Sequence, residues 1–230
     1  MARLRISFLI AGPLLFLQFA VAQSWTPVDW PQLANPAAQQ FEDPYRDLTP
    51  SQFQSLMSLA RLQVALGAAN PEVDQAELES RASQLSGELQ EQGLDPQWIL
   101  SQREVVAERR QQAAVSTNAA LEDQPVEMTG YLLVAPDVEG LKVAYLLPNR
   151  GVCMHLPPPA PNQLIRLDIE KLPEPLGACI ATAVRGRLST EENRATVPVF
   201  DDTVALWGRW RMAVSEAVTS GGFTSEQDTP

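Results

Sequence analysis

"PVEMTGYLLV", Pro125–Val134, is the stretch of the sequence that decides the fold class. Its apolar residues recur with a period of about two, which is the pattern of a half-buried β-strand. Upstream of this stretch the apolar residues follow the period of about 3.6 that is typical of amphipathic helices. The change of period at Pro125 therefore predicts that a helical region is followed by a β-domain. The residues on the apolar face of this strand are Val126, Met128, Leu132 and Val134.

Four further alternating segments follow: "LKVAYLL" (141–147), "NQLIRLDI" (162–169), "IATAVRGRL" (180–188) and "VALWGRWRMAV" (204–214). Glycine lies inside three of the five segments, at Gly130, Gly186 and Gly208. Because glycine inside a strand marks bends and bulges, the sheet is expected to be strongly curved. Five short strands predict a small barrel of the oligonucleotide/oligosaccharide-binding (OB) type, with a two-sheet sandwich as the competing shape.

The region before the sheet carries the signals of three helices. Thr49 is an N-cap, Pro50 suits the first helical position, and Gln52 completes a capping box. The first helix is predicted to end at Gly67, the second to run from near Pro71 to Gly93, and the third to open at Asp95–Pro96. The apolar stripes of these helices are Phe53, Leu56, Met57, Ala60 and Val64; Leu78, Ala82, Leu85 and Leu89; and Trp98, Ile99, Val105 and Val106. The fold class is therefore α+β, with an N-terminal helical hairpin region and a small curved β-domain of five strands.

The N-terminus has the features of a secretory signal peptide. Arg3 and Arg5 precede an apolar run, and Ala20-Val21-Ala22 is a small-x-small cleavage site. No later stretch has the ~20 apolar residues of a transmembrane helix, so no membrane span is expected after cleavage. The protein is thus predicted to be periplasmic or secreted. The predicted divisions are a signal peptide (1–22), an extended arm (23–46), a helical region (47–118), a β-domain (119–215) and a disordered tail (216–230).

Charge and motifs exclude several classes of function. The net charge of −11 repels nucleic acid, so no nucleic-acid partner is expected. Arginines alternate along two of the predicted strands, at Arg185, Arg187, Arg209 and Arg211. They form either a basic face that binds an anion or the solvated side of the sheet. The sequence has no phosphate-binding glycine loop, no Cys-x-x-Cys and no serine-hydrolase elbow, so an enzyme is not predicted.

"CMHLPPPAPNQ", residues 153–163, is the segment most suited to a function. It holds the single histidine of the chain and one of its two cysteines. Its prolines favour a stiff polyproline helix, and Cys153 and His155 lie two residues apart, on the same side of an extended chain. In an oxidising compartment Cys153 and Cys179 suggest a disulfide that closes a loop of roughly 25 residues.

With "VEMTGYLLV", "VAYLLP" and "ATAVRGRL", this segment resembles an exported bacterial family, domain of unknown function 3299. The resemblance covers roughly residues 122–190 and implies no established activity. Some members accompany transport systems of the ATP-binding-cassette type and metal uptake. The distinctive positions that the resemblance implies are Cys153, His155, Pro157, Pro158, Pro159, Pro161, Asn162 and Gln163.

Three interpretations of the segment compete. Cys153 and His155 supply two ligands for zinc or another soft divalent metal, although a stable site needs further ligands. Alternatively Cys153 is a nucleophile with His155 as its base, without a visible orienting group. In the interpretation that we favour, His155, Asn162 and Gln163 fix the proline corner, whose exposed edge binds a partner. The sequence then encodes a secreted, non-enzymatic accessory module without a cofactor. Its expected partner is a periplasmic protein, such as a transport complex; the alternative is metal binding or delivery.

Overall fold

The computed structural model describes residues 24–68, 74–136, 139–140, 142–152, 156–170, 179–199 and 202–219. The chain is α+β, as predicted. Its N-terminal half carries four helices: α1 Pro50–Gly67, α2 Gln75–Glu91, α3 Pro96–Ser101 and α4 Arg103–Val115. Its strands are β1 Thr26–Pro27, β2 Pro125–Pro136, β3 Lys142–Leu147, β4 Ile165–Asp168, β5 Ile180–Val199 and β6 Asp202–Thr219. The predicted signal peptide lies outside the described residues.

The first helix begins and ends where the sequence predicts. The Thr49 hydroxyl accepts from the Gln52 backbone N–H at 3.3 Å, and Gln52 Oε1 accepts from the Thr49 N–H at 2.9 Å. This reciprocal pair satisfies two backbone donors that a helix start leaves without partners. The second helix starts at Gln75, capped by Asp74, and not near Pro71, which lies outside the described residues. It ends before Gly93, whose φ of +82° is the left-handed conformation that glycine adopts easily.

The third predicted helix is two helices. Gln102 is both the C-cap of α3 and the N-cap of α4, so the chain turns at this residue. Ile99 of α3 and Val106 of α4 are buried, whereas Trp98 and Val105 are exposed. The apolar stripe of α1 is also wrong in part, because Leu56 and Leu59 are the residues that this helix buries. A helical core forms from Leu56, Leu59, Leu89 and Ile99.

The strands form one mixed sheet with the order β1-β2-β3-β4-β6-β5. An additional pairing between β2 and β5 brings the last strand of this order back to β2, so the sheet curves strongly. The β1–β2 and β4–β6 pairs are parallel and the others antiparallel.

The prediction of five short strands is corrected in three ways. The arm adds β1 to β2 as a sixth strand, and β5 and β6 are 20 and 18 residues long. The sheet is neither a clean barrel nor a pair of sheets, because β5 continues beyond its pairing with β2 and there pairs with β6 alone. Residues 216–219, predicted as the start of a disordered tail, are the end of β6; residues 220–230 lie outside the described residues.

The sheet is buried on both sides of β3. The predicted apolar face of β2 is correct at Val126, Met128 and Leu132, which pack with Trp210 and Met212. A second cluster lies on the other side of the sheet. Its buried members are Leu133, Ala135, Val143, Tyr145, Leu147, Val152, Leu164, Cys179, Val197 and Leu206. In the part of the chain that the structure describes, none of the helices is both long and apolar enough to cross a bilayer.

Candidate functional site

The described part of the predicted site is a rim of residues 156–163, here called the proline rim. Cys153 and His155 lie outside the described residues. Leu156 is 58% exposed, and Pro157 and Pro158 are exposed beside it. Pro159, Pro161 and Gln163 are half-buried. The rim therefore presents an apolar outer edge, Leu156–Pro158, at the surface.

Asn162 attaches the inner side of the rim to the end of α4. Pro161–Gln163 is a single turn of 3-10 helix, and Asn162 within it is only 2% exposed. Its side-chain Nδ2 donates to the carbonyl oxygen of Ala113 at 2.7 Å and to that of Ser116 at 2.8 Å. The last carbonyls of a helix have no partners within the helix. Asn162 supplies a side-chain cap from a distant part of the sequence.

The N-terminal arm meets the same two carbonyls. Gln39 Nε2 donates to the Ala113 oxygen at 2.9 Å, and the Asn35 N–H donates to the Ser116 oxygen at 3.1 Å. Each carbonyl thus accepts one bond from the arm and one from the rim. These four hydrogen bonds join the arm, the end of α4 and the rim into one partly buried polar contact.

An open groove of about 660 Å³ lies between the arm, α4 and the rim. We call it the rim groove. Most of its wall is apolar or amide, and its charged side chains are Asp43, Arg46 and Arg110. The lining residues of the rim itself are Ala160, Asn162 and Gln163. The groove is of the size that takes a short stretch of polypeptide or a small ligand.

The charged side chains of the rim groove are held in place. Arg110 donates from Nε and Nη2 to the carboxylate of Asp43, at 2.8 and 3.0 Å. Burial opposes ionisation of Asp43, but hydrogen bonds from Arg110 and the Tyr45 N–H, with the charges of Arg110 and Arg46, lower its pKa below the usual 3.8. Arg46 lies over the ring of Phe41, 5.5 Å from its centroid. The exposed charge in this groove is therefore cationic.

The model of the family described as "Protein of unknown function (DUF3299)" matches residues 45–203, which is more than half of the chain. The chain belongs to this family. The match includes the whole proline rim, α1 to α4 and the strands β2 to β5. A crystal structure of a DUF3299 family protein from Pseudomonas aeruginosa PAO1 is similar, with 22% identity and a TM-score of 0.35. The similarity covers 47% of this chain and 68% of that one. No curated protein matches.

In this DUF3299 protein Cys179 is not a metal ligand. Cys179 is 3% exposed and takes part in a disulfide, so its sulfur has no thiolate to offer. The other cysteine of the chain is Cys153, outside the described residues. Within the described ranges, no three His, Cys, Asp or Glu side chains come together as a metal site would require. The described residues therefore add no ligand to the predicted pair Cys153 and His155.

The alternating arginines of this family member do not form a free basic face. Arg185 pairs with Glu127 at 2.8 Å and Glu216 at 3.3 Å. Arg187 donates to the Asp123 carbonyl. The arginines of β6 are paired as well: Arg209 with Glu192, and Arg211 with Asp168 and Glu191. These interactions use the arginines to hold neighbouring strands together, which favours the structural interpretation over an anion site.

The sequence did not reveal the residues that surround the rim. Asp43, Arg46 and Arg110 come from the arm and α4, and nothing in their local pattern connects them with residue 162. The one available signal was Asn162 itself. It is a polar residue between the proline run and a strand, and it was predicted to fix the proline corner by hydrogen bonds.

Proposed function

We propose that this protein is an exported, non-enzymatic binding module whose recognition surface is the proline rim together with the rim groove. The observation that carries the proposal is the contrast between the two sides of the rim. Asn162 is buried and bonded to two carbonyl oxygens, whereas Leu156, Pro157 and Pro158 are exposed. A segment held from the inside and apolar on the outside suits docking of a partner more than packing of a core.

The physical advantage of such a rim is low entropy loss on binding. Proline fixes φ near −65°, and a polyproline segment is already close to a single conformation before its partner arrives. Less ordering free energy then opposes association. The rim groove supplies a second contact, in which Arg46 and Arg110 favour carboxylates on the partner. The partner is a periplasmic protein, and a transport complex is the narrower form of this proposal.

The pairing order of the sheet supports an OB-like relationship for the β-domain. The strands β2, β3, β4, β6 and β5 form a closed circuit of pairings, in which only β4 and β6 run parallel. Small Greek-key barrels of this type expose loops that bind ligands. The proline rim lies in such a connection, between β3 and β4.

The experiment uses the mature chain with a C-terminal affinity tag, crosslinked in the periplasm of the source bacterium and quantified by mass spectrometry. Pro158→Ala, Pro159→Ala and Leu156→Ser are compared with Pro198→Ala, which changes an exposed proline of β5 outside the rim. The three rim variants should lose most of the crosslinked partner, and Pro198→Ala should keep it. Equal recovery with all four variants would refute the proposal.

Metal binding is tested with the same protein. Cys153→Ser and His155→Ala are made beside the rim variants, and purified protein is analysed for its elements. Two results together would favour the metal interpretation over the binding module. The unmodified protein would contain one equivalent of metal that is lost in His155→Ala, and the proline variants would recover the full amount of partner.

A further inference from the structure

A second groove lies on the helical side of the molecule, between α1 and α4. Its volume is about 210 Å³, and most of its lining residues are apolar. Phe53, Met57 and Ala60 of α1 line one wall, and Val106 and Ala107 of α4 line the other. We call it the helix groove. Two amphipathic helices usually close such a space by packing ridges into grooves. Here the two apolar stripes face an open space instead.

Large apolar side chains are also exposed elsewhere on α1 and on α3. Phe53 is 44% exposed, Val64 on the same helix 74%, and Trp98 at the start of α3 42%. Gln63 and Gln97 are hydrogen-bonded at 3.2 Å, which brings the Val64 end of α1 beside Trp98. A contiguous patch of exposed apolar side chains often marks an interaction site. Phe53, Met57 and Ala60 of the stripe predicted for α1 thus line an open groove, whereas Leu56 of the same stripe is buried in the helical core.

The charged side chains that line the helix groove are both arginines. Arg103 and Arg110 line it and no carboxylate does, although the chain as a whole has a net charge of −11. Arg103 is 73% exposed, and its nearest acid, Glu104, is 4.0 Å away and more exposed still. Arg110 uses Nε and Nη2 for Asp43, which leaves its third nitrogen, Nη1, for another acceptor. The two arginines are two helical turns apart on α4, about 10 Å along its axis.

We propose that the helix groove docks an amphipathic helix of a partner protein that carries carboxylates beside its apolar face. Apolar side chains at i, i+3 or i+4 and i+7 enter between Phe53 and Val106, as in other helix-in-groove complexes. Two carboxylates separated by about two turns pair with Arg103 and Arg110. A fatty acid has one terminal carboxylate and cannot satisfy two arginines about 10 Å apart. The spacing of the arginines along the groove therefore matches two carboxylates seven residues apart on a helix.

The probe is a pair of synthetic helical peptides with identical leucine faces. One carries glutamate at two positions seven residues apart beside that face, and the other carries lysine at both. Binding to the mature chain is measured by fluorescence anisotropy at low and moderate salt. The glutamate peptide should bind at least tenfold more tightly than the lysine peptide, and added salt should reduce the difference.

Variants of the protein locate the site. Phe53→Ser should weaken binding of the glutamate peptide at least tenfold. Arg103→Glu should reverse the preference, so that the lysine peptide binds more tightly than the glutamate peptide. Val105→Ser is the matched control, because Val105 is 50% exposed on α4 but does not line the groove. Circular dichroism checks that each variant remains folded. Folding is expected to be retained because the substituted side chains are exposed.

Three results would overturn this proposal. The peptides could bind equally well, or the glutamate peptide could bind Phe53→Ser as tightly as the unmodified chain. Laurate could bind alone and displace the peptide from the groove, which would assign the surface to a lipid. Sedimentation could show a dimer that Phe53→Ser dissociates, which would assign it to a second copy of this chain.

Discussion

The side-chain nitrogen of Asn162 lies 2.7 Å from the carbonyl oxygen of Ala113, although 49 positions separate the two residues in the sequence. This contact joins the connection between β3 and β4 to the last turn of α4. The bond is buried, where water cannot replace it. The position of the proline rim is therefore coupled to the end of a helix in the other half of the chain.

Asn162→Ala should destabilise the protein and loosen the rim. The change removes two hydrogen bonds from a buried amide, each worth about 0.5–1.5 kcal/mol, so a loss of about 1–3 kcal/mol is expected. The arm still donates to both carbonyls, which keeps the loss at the lower end. Urea unfolding measures the change, and hydrogen exchange at residues 113–118 should become faster. Gln163→Ala is the neighbouring control, since its Nε2 makes a single long bond of 3.2 Å. Equal stability of both variants would contradict the role of Asn162.

Gly130→Ala should separate the arm from the sheet. A Cβ at this position would lie 2.6 Å from the Leu147 carbonyl oxygen and 2.8 Å from Cζ2 of Trp30. Trp30 also donates from Nε1 to the Thr129 carbonyl, so it cannot move without losing a hydrogen bond. Overpacking of this kind costs about 1–3 kcal/mol. Thermal unfolding and proteolysis of the arm provide the measurements.

Gly87→Ala is the matched control for Gly130. Gly87 lies inside α2, and nothing is within 4 Å of a Cβ there. Alanine is the better helix former by about 0.8–1.0 kcal/mol, so Gly87→Ala should raise the melting temperature. If Gly130→Ala were stabilising as well, close approach of Trp30 would not explain the glycine.

The parts of the fold that could be predicted depend on neighbouring residues in the sequence. The capping box at Thr49 defines the start of α1, and the change of period at Pro125 defines the start of β2. The parts that could not be predicted depend on distant contacts. β1 is two residues long, too short for any alternation, and exists because Thr26 and Pro27 pair with Val126 and Glu127. The turn at Gln102 likewise carries no proline or glycine that would indicate it.

The candidate site was predictable to a similar extent. The proline rim was found because three consecutive prolines are followed by Ala160 and a fourth proline, Pro161, and Asn162 was found because it comes directly after Pro161. Its hydrogen-bond acceptors are backbone carbonyls, and a backbone carbonyl has no residue type by which a sequence could reveal it. The pairing of Arg110 with Asp43 spans 67 positions and two elements, so only the folded chain shows it.

Asp43 should make stability depend on pH in the acid range. Its folded-state pKa is lowered, so its contribution is complete above the unfolded pKa of 3.8 and is lost as the pH falls through the folded-state value. Asp43→Asn should therefore cost about 1–2 kcal/mol at pH 7, with Arg110 half exposed, and much less near pH 2. Urea unfolding at both pH values checks this. Asp47→Asn, at an exposed position nearby, should leave the free energy of unfolding unchanged at both pH values. A loss of stability in Asp43→Asn that is the same at both pH values would contradict the ion pair.

Export should produce a mature chain that begins near Gln23. Signal peptidase requires small residues at the last and third-last positions of the leader, which Ala22 and Ala20 provide. N-terminal sequencing of the periplasmic fraction tests this prediction. Ala22→Phe should block cleavage and leave the longer precursor, while a conservative Ala22→Ser should be processed. Recovery of Met1 or Ala2 from a membrane fraction of the unmodified strain would show an uncleaved anchor instead.

The disulfide of Cys179 should be formed with Cys153 and should stabilise the rim, since Cys153 precedes Leu156 by three positions in the sequence. Closing a loop of roughly 25 residues is worth about 3 kcal/mol in the chain-entropy model. Cys153→Ser and Cys179→Ser should each lose about this amount in urea unfolding, and the double variant should lose no more than either alone. Peptide mapping without reductant identifies the bridge directly, and hydrogen exchange at residues 156–160 should accelerate after reduction. Disulfide-linked dimers on a non-reducing gel, or single losses that add in the double variant, would show that the two cysteines act separately.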